Sequence, residues 1–202
     1  MAAATMQPAS SQLPDEIIKE ILSPALYVPD NAFADTSLRS NPFARYGLST
    51  STILVVCKSW LRVATPLLYE TIVLRSKAQA QALAAALKQN QQLGLFIKKL
   101  RVEGGYGAFL SEILRRSPAL TDIWLSAALW SNESVAGYLK GFQSINPRRL
   151  IVVDDYSKSS AVRRKFYEAL GEAVRNSWSS LVRAAETCWL FDLIPFLDAF
   201  RK

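Results

Sequence analysis

The sequence contains no histidine, which removes the commonest general base and the commonest metal ligand of proteins. A Ser–His catalytic triad is therefore excluded. No serine stands in a Gly-x-Ser-x-Gly context, and no His/Cys cluster with zinc-ligand spacing is present. We therefore expect a chain that is not an enzyme, with no catalytic residue, no metal site and no cofactor.

Cysteine is scarce as well, because Cys57 and Cys188 are the two in the chain and lie far apart. A disulfide framework is not expected, which favours a reducing compartment, the cytoplasm or the nucleus. Cys57 stands in an apolar run and is predicted to be a small core residue.

Long hydrophobic runs are also missing, since none approaches the roughly 20 residues that span a bilayer. Residues 1–12 lack the basic start and apolar stretch of a secretory signal and are predicted to be a flexible lead. We expect no membrane partner.

Positive charge is in excess and unevenly placed. Residues 1–50 carry 3 basic and 5 acidic side chains, and residues 51–202 carry 21 and 12. The excess indicates either a solvated basic surface or attraction to an acidic partner. The best nucleic-acid candidate is the cluster at 163–165, but the adjoining Phe166 and Tyr167 fit the apolar stripe of a helix and are not expected to stack on bases.

Residues 13–22 predict a short amphipathic helix. Pro14 suits the first helical position, and Asp15 and Glu16 place negative charge at the positive helix end. One apolar stripe follows, formed by Leu13, Ile17, Ile18, Ile21 and Leu22.

Residues 54–69 predict a second apolar helical stretch. Trp60 is expected in its core, and Pro66 is expected to end or kink the helix near Thr65.

Together these stretches resemble the two halves of an F-box, a small helical bundle that docks onto a Skp-type adaptor in cullin–RING ubiquitin ligases, and the wording is most similar to fungal F-box proteins. The residues that carry the resemblance are Leu13, Pro14, Glu16, Ile17, Val56, Cys57, Lys58 and Trp60. The resemblance implies an F-box over residues 13–70, interrupted by a long insertion at 27–50. The adaptor-binding residues that it implies are Leu13, Pro14, Ile17, Ile18, Ile21, Leu54, Val55, Trp60, Leu61 and Val63.

The insertion at 27–50 is polar in composition but contains Phe33 and Phe43. We expect it to pack against the chain's own α/β part through these two rings rather than against the adaptor.

Short β-prone strings recur along residues 71–202, at 71–74, 99–102, 122–125 and 150–153. Helix-like segments separate them, at 76–93, 107–116, 132–143 and 160–177. Aligning Ile72, Leu100, Ile123 and Ile151 gives the spacing of leucine-rich repeats. The repeat is degenerate, since Gly105 and Ala128 stand where Asn or Cys is usual.

The predicted fold class is therefore α/β and helix-rich, an F-box bundle followed by a leucine-rich-repeat-like strand–helix arc over 71–202. The alternative is an ordinary α/β domain whose strands are spaced by accident. A fifth strand can begin after Trp178, and the apolar tail from Cys188 is expected to cap the arc, or else to form a partner surface. Gly104 to Gly107 predict a turn between strand and helix, and Asp154 with Asp155 predict a solvated turn.

Side-chain alternation along these strands predicts a target-binding face. Lys99 and Arg101 alternate with buried Leu100, and Trp124 and Arg149 fall on the same side of the neighbouring strands. An exposed Trp among positive charges suits an acidic, partly apolar protein segment. The alternative is that Trp124 is buried under a helix while the basic residues are merely solvated.

These features favour a non-catalytic substrate receptor, which binds a Skp-type adaptor, through it a cullin, and an unknown protein target. One alternative is a Skp-binding scaffold outside ubiquitin ligation. The other is a basic nucleic-acid or membrane-surface module whose F-box resemblance is accidental.

Overall fold

The computed structural model describes residues 13–37, 50–129, 134–154 and 161–186. The helices of this part are α1 (Asp15–Leu26), α2 (Asp30–Phe33), α3 (Lys58–Glu70), α4 (Lys77–Gln89), α5 (Ala108–Arg115), α6 (Ala136–Phe142) and α7 (Ala161–Asn176). The strands are β1 (Thr71–Leu74), β2 (Lys99–Val102), β3 (Asp122–Ser126), β4 (Arg149–Val153) and β5 (Arg183–Glu186). Short 3-10 helices at Thr50–Val55 and Gln91–Phe96 complete the element order.

The strands form one five-stranded parallel sheet in the order β1-β2-β3-β4-β5, which confirms the α/β class. Ile72 pairs with Leu100 and Leu100 with Ile123, as the alignment predicted. Ile123 pairs with Leu150 rather than Ile151, so the predicted alignment of the fourth strand was wrong by one residue. A one-residue shift moves a side chain to the opposite face, and Ile151 accordingly lies on the face away from Leu150.

Helices α4 to α7 connect consecutive strands and cover one face of the sheet, as right-handed crossovers between parallel strands do. Ser76 caps the start of α4, because its side chain accepts a hydrogen bond from the Gln79 N–H. Side chains of both layers share one continuous core, which includes Leu87, Leu100, Leu110, Ile123, Leu125, Tyr138, Phe142, Leu150, Phe166 and Trp178.

A second, smaller core lies between α1, α3 and the 3-10 helix at Thr50–Val55. Ile18, Leu22 and Leu26 face inward at a spacing of four residues and pack against Ala64. Pro14 directly precedes α1, and its carbonyl accepts hydrogen bonds from the N–H groups of the first turn.

Pro66 does not end α3, so this part of the sequence expectation was wrong. A proline removes one backbone donor, but Leu67 and Leu68 beyond it pack against the small core and hold the helix in place. The helix continues to Glu70, and β1 begins at Thr71. The small bundle therefore passes into the sheet without an intervening loop.

Two further expectations were wrong. Cys57 is exposed rather than buried, because it caps the start of α3 in extended backbone conformation, between two helices. Asp154 is buried rather than solvated, because its carboxylate accepts hydrogen bonds from Arg163 Nε at 2.7 Å and Tyr167 Oη at 2.6 Å. Arg163 is therefore paired within the chain, with Nη2 at 2.6 Å from the Asp154 carboxylate.

The turn predicted at Gly104 to Gly107 is confirmed. It links β2 to α5, and Gly107 adopts a φ of 59°, where a side chain would be strained. The predicted lead at 1–12, the apolar cap from Cys188, Asp155 and Phe43 lie outside the described residues. In the part of the chain that the structure describes, no helix has both the length and the apolar character needed to cross a membrane.

Candidate functional site

The residues implied for adaptor binding are divided by the small bundle into a buried and an exposed set. Ile18 is buried, and Leu54, Trp60 and Val63 are half-buried in the core of the bundle. Among the exposed residues of this set are Leu13, Ile17, Ile21, Val55 and Leu61. Pro14 is exposed as well.

The exposed set has a regular origin on α1. Residues 18, 22 and 26 face the core, while Ile17 and Ile21 lie one turn apart beside them and remain in solvent, and Leu13, two residues before the helix, is exposed as well. The apolar stripe is thus wider than the bundle can cover. Single exposed apolar residues are ordinary, but a line of them on one helix indicates an interaction surface.

Helix α3 and the segment before it extend this apolar character. Asp15 at the start of α1 forms an ion pair of 2.6 Å with Arg62 on α3, and the neighbouring Leu61 is exposed. Val55 and Val56 are exposed between the 3-10 helix and α3. We use the term bundle surface for Leu13, Ile17, Ile21, Val55, Val56 and Leu61. Of these, Val56 is not among the adaptor-binding residues that the resemblance implies.

The residues predicted to bind a target do meet on one face of the sheet, the face opposite α4 to α7. We call Lys99, Arg101, Trp124 and Arg149 the basic face. The expectation that Trp124 is exposed was wrong, because 1% of its surface is accessible. It lies under the chain's own residues 28–37, which include helix α2, so the alternative of a Trp124 buried under a helix is confirmed, whereas Lys99 and Arg149 are paired with Asp30 rather than merely solvated.

Residues 28–37, which we call the docked segment, contain α2 and cross this face. Phe33 is fully buried among Trp124, Ile151 and Val153. This contact confirms that the described part of the insertion packs on the α/β part through Phe33. The prediction of an exposed Trp124 was wrong because it treated one face of the sheet as open, whereas both faces are covered here.

Asp30 supplies the charge of the docked segment. Its carboxylate lies 2.9 Å from Lys99 Nζ and 2.9 Å from Arg149 Nη1, which also approaches Asp122 at 3.6 Å. The hydrogen bond from Lys99, aided by Arg149, holds the pKa of Asp30 below its usual range. These contacts therefore stabilise the docked state at pH values above the ordinary pKa range of a carboxylate. The stabilisation is lost as the pH falls through the lowered pKa of Asp30.

Arg101 fixes the backbone of the docked segment. Its Nη1 donates to the carbonyl oxygens of Phe33 at 3.1 Å and Asp35 at 2.7 Å, and its Nε donates to Glu103 at 2.6 Å. The guanidinium carbon lies 3.8 Å from the centre of the Trp124 ring. Arg101 is consequently buried between the segment and the sheet, although it carries a full charge.

Asp30 and Asp35 were not identified from the sequence as site residues. The signal that could have found them was the uneven charge, because an acidic first part and a basic remainder favour pairing within one chain. In the described part of the chain, no group of three or more Asp, Glu, Cys or His is placed to hold a metal ion.

Comparisons of the chain with protein-family models, curated proteins and solved structures found no match. The function must therefore be argued from the bundle surface and the basic face.

Proposed function

We propose that this chain is a non-catalytic substrate receptor of a cullin–RING ubiquitin ligase, with residues 13–70 acting as an F-box. In this proposal the bundle surface docks onto a Skp-type adaptor, while the sheet and its helices hold a protein target. The mechanism is proximity, because the receptor brings the target into the neighbourhood of the charged ubiquitin-carrying enzyme.

The observation that carries the proposal is the exposed apolar line on α1. It consists of Ile17 and Ile21, and Leu13, two residues before the helix, is exposed as well; Leu13 and Ile17 belong to the motif that resembles an F-box. A bundle that needed these side chains for its own stability would bury them. A partner that covers them gains about 25 cal/mol for each Å² of apolar surface removed from water.

The sequential order of the five parallel strands supports the second half of the proposal. A leucine-rich-repeat-like arc requires each strand to lie beside the next one in the chain, with helices on one side. The alternative of a basic nucleic-acid module is weakened by the pairing of Lys99, Arg149 and Arg163 with carboxylates of the chain.

Co-expression with a Skp-type adaptor, followed by size-exclusion chromatography, tests the proposal. We expect co-elution of the parent chain and its loss in Ile17→Asp and Leu61→Asp, each of which places a charge at a position that is 46% exposed. A buried, unpaired charge should weaken the complex by at least about a hundredfold.

The matched control is Leu139→Asp on α6, which is 45% exposed and lies outside the bundle surface. It should co-elute as the parent does. If the parent elutes apart from the adaptor, or if all three variants behave alike, the bundle surface is not an adaptor site.

A further inference from the structure

The docked segment contacts the basic face in the way that a bound peptide contacts a receptor. One carboxylate of the segment meets two cations, one arginine of the sheet binds two backbone carbonyls, and one aromatic ring enters an apolar pocket. Paired charges, main-chain hydrogen bonds and an aromatic anchor are the usual elements of peptide recognition.

These contacts are concentrated within six residues. Asp30 and Phe33 are the ends of α2, a single helical turn, and Asp35 follows two residues later. The turn is held internally, because the N–H of Phe33 donates to the Pro29 carbonyl and the N–H of Ala34 to that of Asp30. A short peptide of the same sequence can therefore make the same contacts without the rest of the chain.

We propose that the basic face is a binding site for a protein segment of the form Asp-x-x-Phe, and that residues 30–35 occupy it as an internal ligand. A target with an acidic residue one helical turn before an aromatic residue displaces the docked segment and takes its place. This inference deepens the target-binding half of the proposed function and rests on that half, but it does not involve the adaptor.

The chemistry of the face selects this class of partner. Lys99 and Arg149 converge on the Asp30 carboxylate and also lie 5.6 and 5.7 Å from the centre of the Phe33 ring. The same two cations therefore contact both the acidic and the aromatic residue of the segment. The floor of the pocket is Trp124, whose Nε1 finds no hydrogen-bond partner among the described residues. A target that supplies an acceptor there makes one contact more than the internal ligand does.

The internal ligand competes strongly because it is tethered, at an effective concentration on the order of millimolar. A ligand from another molecule therefore shows measurable binding only when its affinity for the basic face exceeds that of the docked segment, or when the docked segment is disabled by substitution. This second condition can be met by substitution of Asp30 and Phe33, which leaves every residue of the basic face intact.

The test uses the full chain and a fluorescent peptide, Val-Pro-Asp-Asn-Ala-Phe-Ala-Asp-Thr-Ser, copied from residues 28–37. Binding is followed by fluorescence anisotropy. We expect the Asp30→Ala, Phe33→Ala double variant to bind at least about tenfold more tightly than the parent, because the tethered competitor is gone. A scrambled peptide of the same composition should not bind.

A matched pair of face variants localises the binding. In the double variant, Arg149→Glu should abolish binding, whereas Arg148→Glu, the same charge reversal at the exposed neighbouring residue, should leave it. Equal binding of the scrambled peptide, equal effects of the two reversals, or no binding by a folded double variant would each overturn the inference.

Hydrogen exchange on the unaltered chain decides the matter if the double variant does not fold. The Phe33 and Ala34 amides should exchange through local opening, faster than those of β3. Exchange as slow as in β3 would mean that the segment leaves only on global unfolding, and no target could enter. Adaptor co-elution is measured separately, so a failure here leaves the adaptor half of the proposed function untouched.

Discussion

Arg101 is the residue on which the docking of residues 28–37 depends most. The residue is 3% exposed, and its guanidinium is contacted from three sides, by Glu103, by two carbonyls of the docked segment and by the face of Trp124. A buried charge of this kind is tolerated only because every direction offers a partner.

Removal of this side chain takes the donor away from the carbonyls of Phe33 and Asp35, whereas Glu103 keeps its ion pair with Arg75. We expect Arg101→Leu to lower the free energy of unfolding by about 1–3 kcal/mol, the cost of leaving buried acceptors without a donor. Arg115→Leu, which removes an exposed i,i+3 partner of Glu112, should change it by less than about 1 kcal/mol. Urea unfolding followed by circular dichroism measures both, and equal effects would contradict the role assigned to Arg101.

Residue environments were the hardest feature to predict. The apolar and charged alternation correctly brought Lys99, Arg101, Trp124 and Arg149 to one face, because alternation is a local property of a strand. Whether that face is open depends on a segment about 70 residues away along the chain, which the strand pattern does not contain. The exposure of Cys57 likewise depends on a change of chain direction that hydrophobicity alone does not mark.

At the scale of elements, α5 and α6 pack unusually close together. A Cβ atom on Gly137 would lie 1.9 Å from the carbonyl oxygen of Gly107, and one on Gly141 would lie 2.5 Å from Leu114 Cδ1. Both glycines therefore allow the close contact between the two helices.

A methyl group at Gly137 should therefore separate these helices. We expect Gly137→Ala to destabilise the fold by about 1–3 kcal/mol, because the clash is with backbone that cannot move aside. Gly171→Ala on α7 meets only the flexible end of Arg175, at 3.3 Å, and should be neutral or stabilise by up to about 1 kcal/mol. Thermal unfolding compares the two, and equal melting temperatures would refute the close packing of α5 on α6.

The strands themselves were predicted well from the sequence. Short β-prone strings between helical periods gave β1 and β2 to the residue, since propensity and pattern agree there. The error at Ile151 arose because β4 is apolar throughout and buried on both faces, so periodicity carries no information about register. For the fifth strand the sequence indicated only that it can begin after Trp178, and β5 begins at Arg183. Its residues are Arg, Ala, Ala and Glu rather than β-branched, so they carry little strand signal.

At the scale of the whole molecule, the uneven charge becomes an internal contact. The docked segment, whose charged residues are both aspartates, lies on the basic face, and α3 continues directly into β1. The apolar bundle surface is left without such a cover within the described residues, and for this reason we propose it as the adaptor site. We expect the two surfaces to have different occupants, a partner protein for one and a segment of an acidic–aromatic type for the other.

Hydrogen–deuterium exchange of the full chain, alone and with a Skp-type adaptor, tests this claim most directly. Because we propose that the adaptor covers the bundle surface, we expect slower exchange on adaptor binding in α1 and in residues 50–63, with no change in β2, β3 or β4. Unchanged exchange in α1, or new protection centred on the basic face, would contradict it.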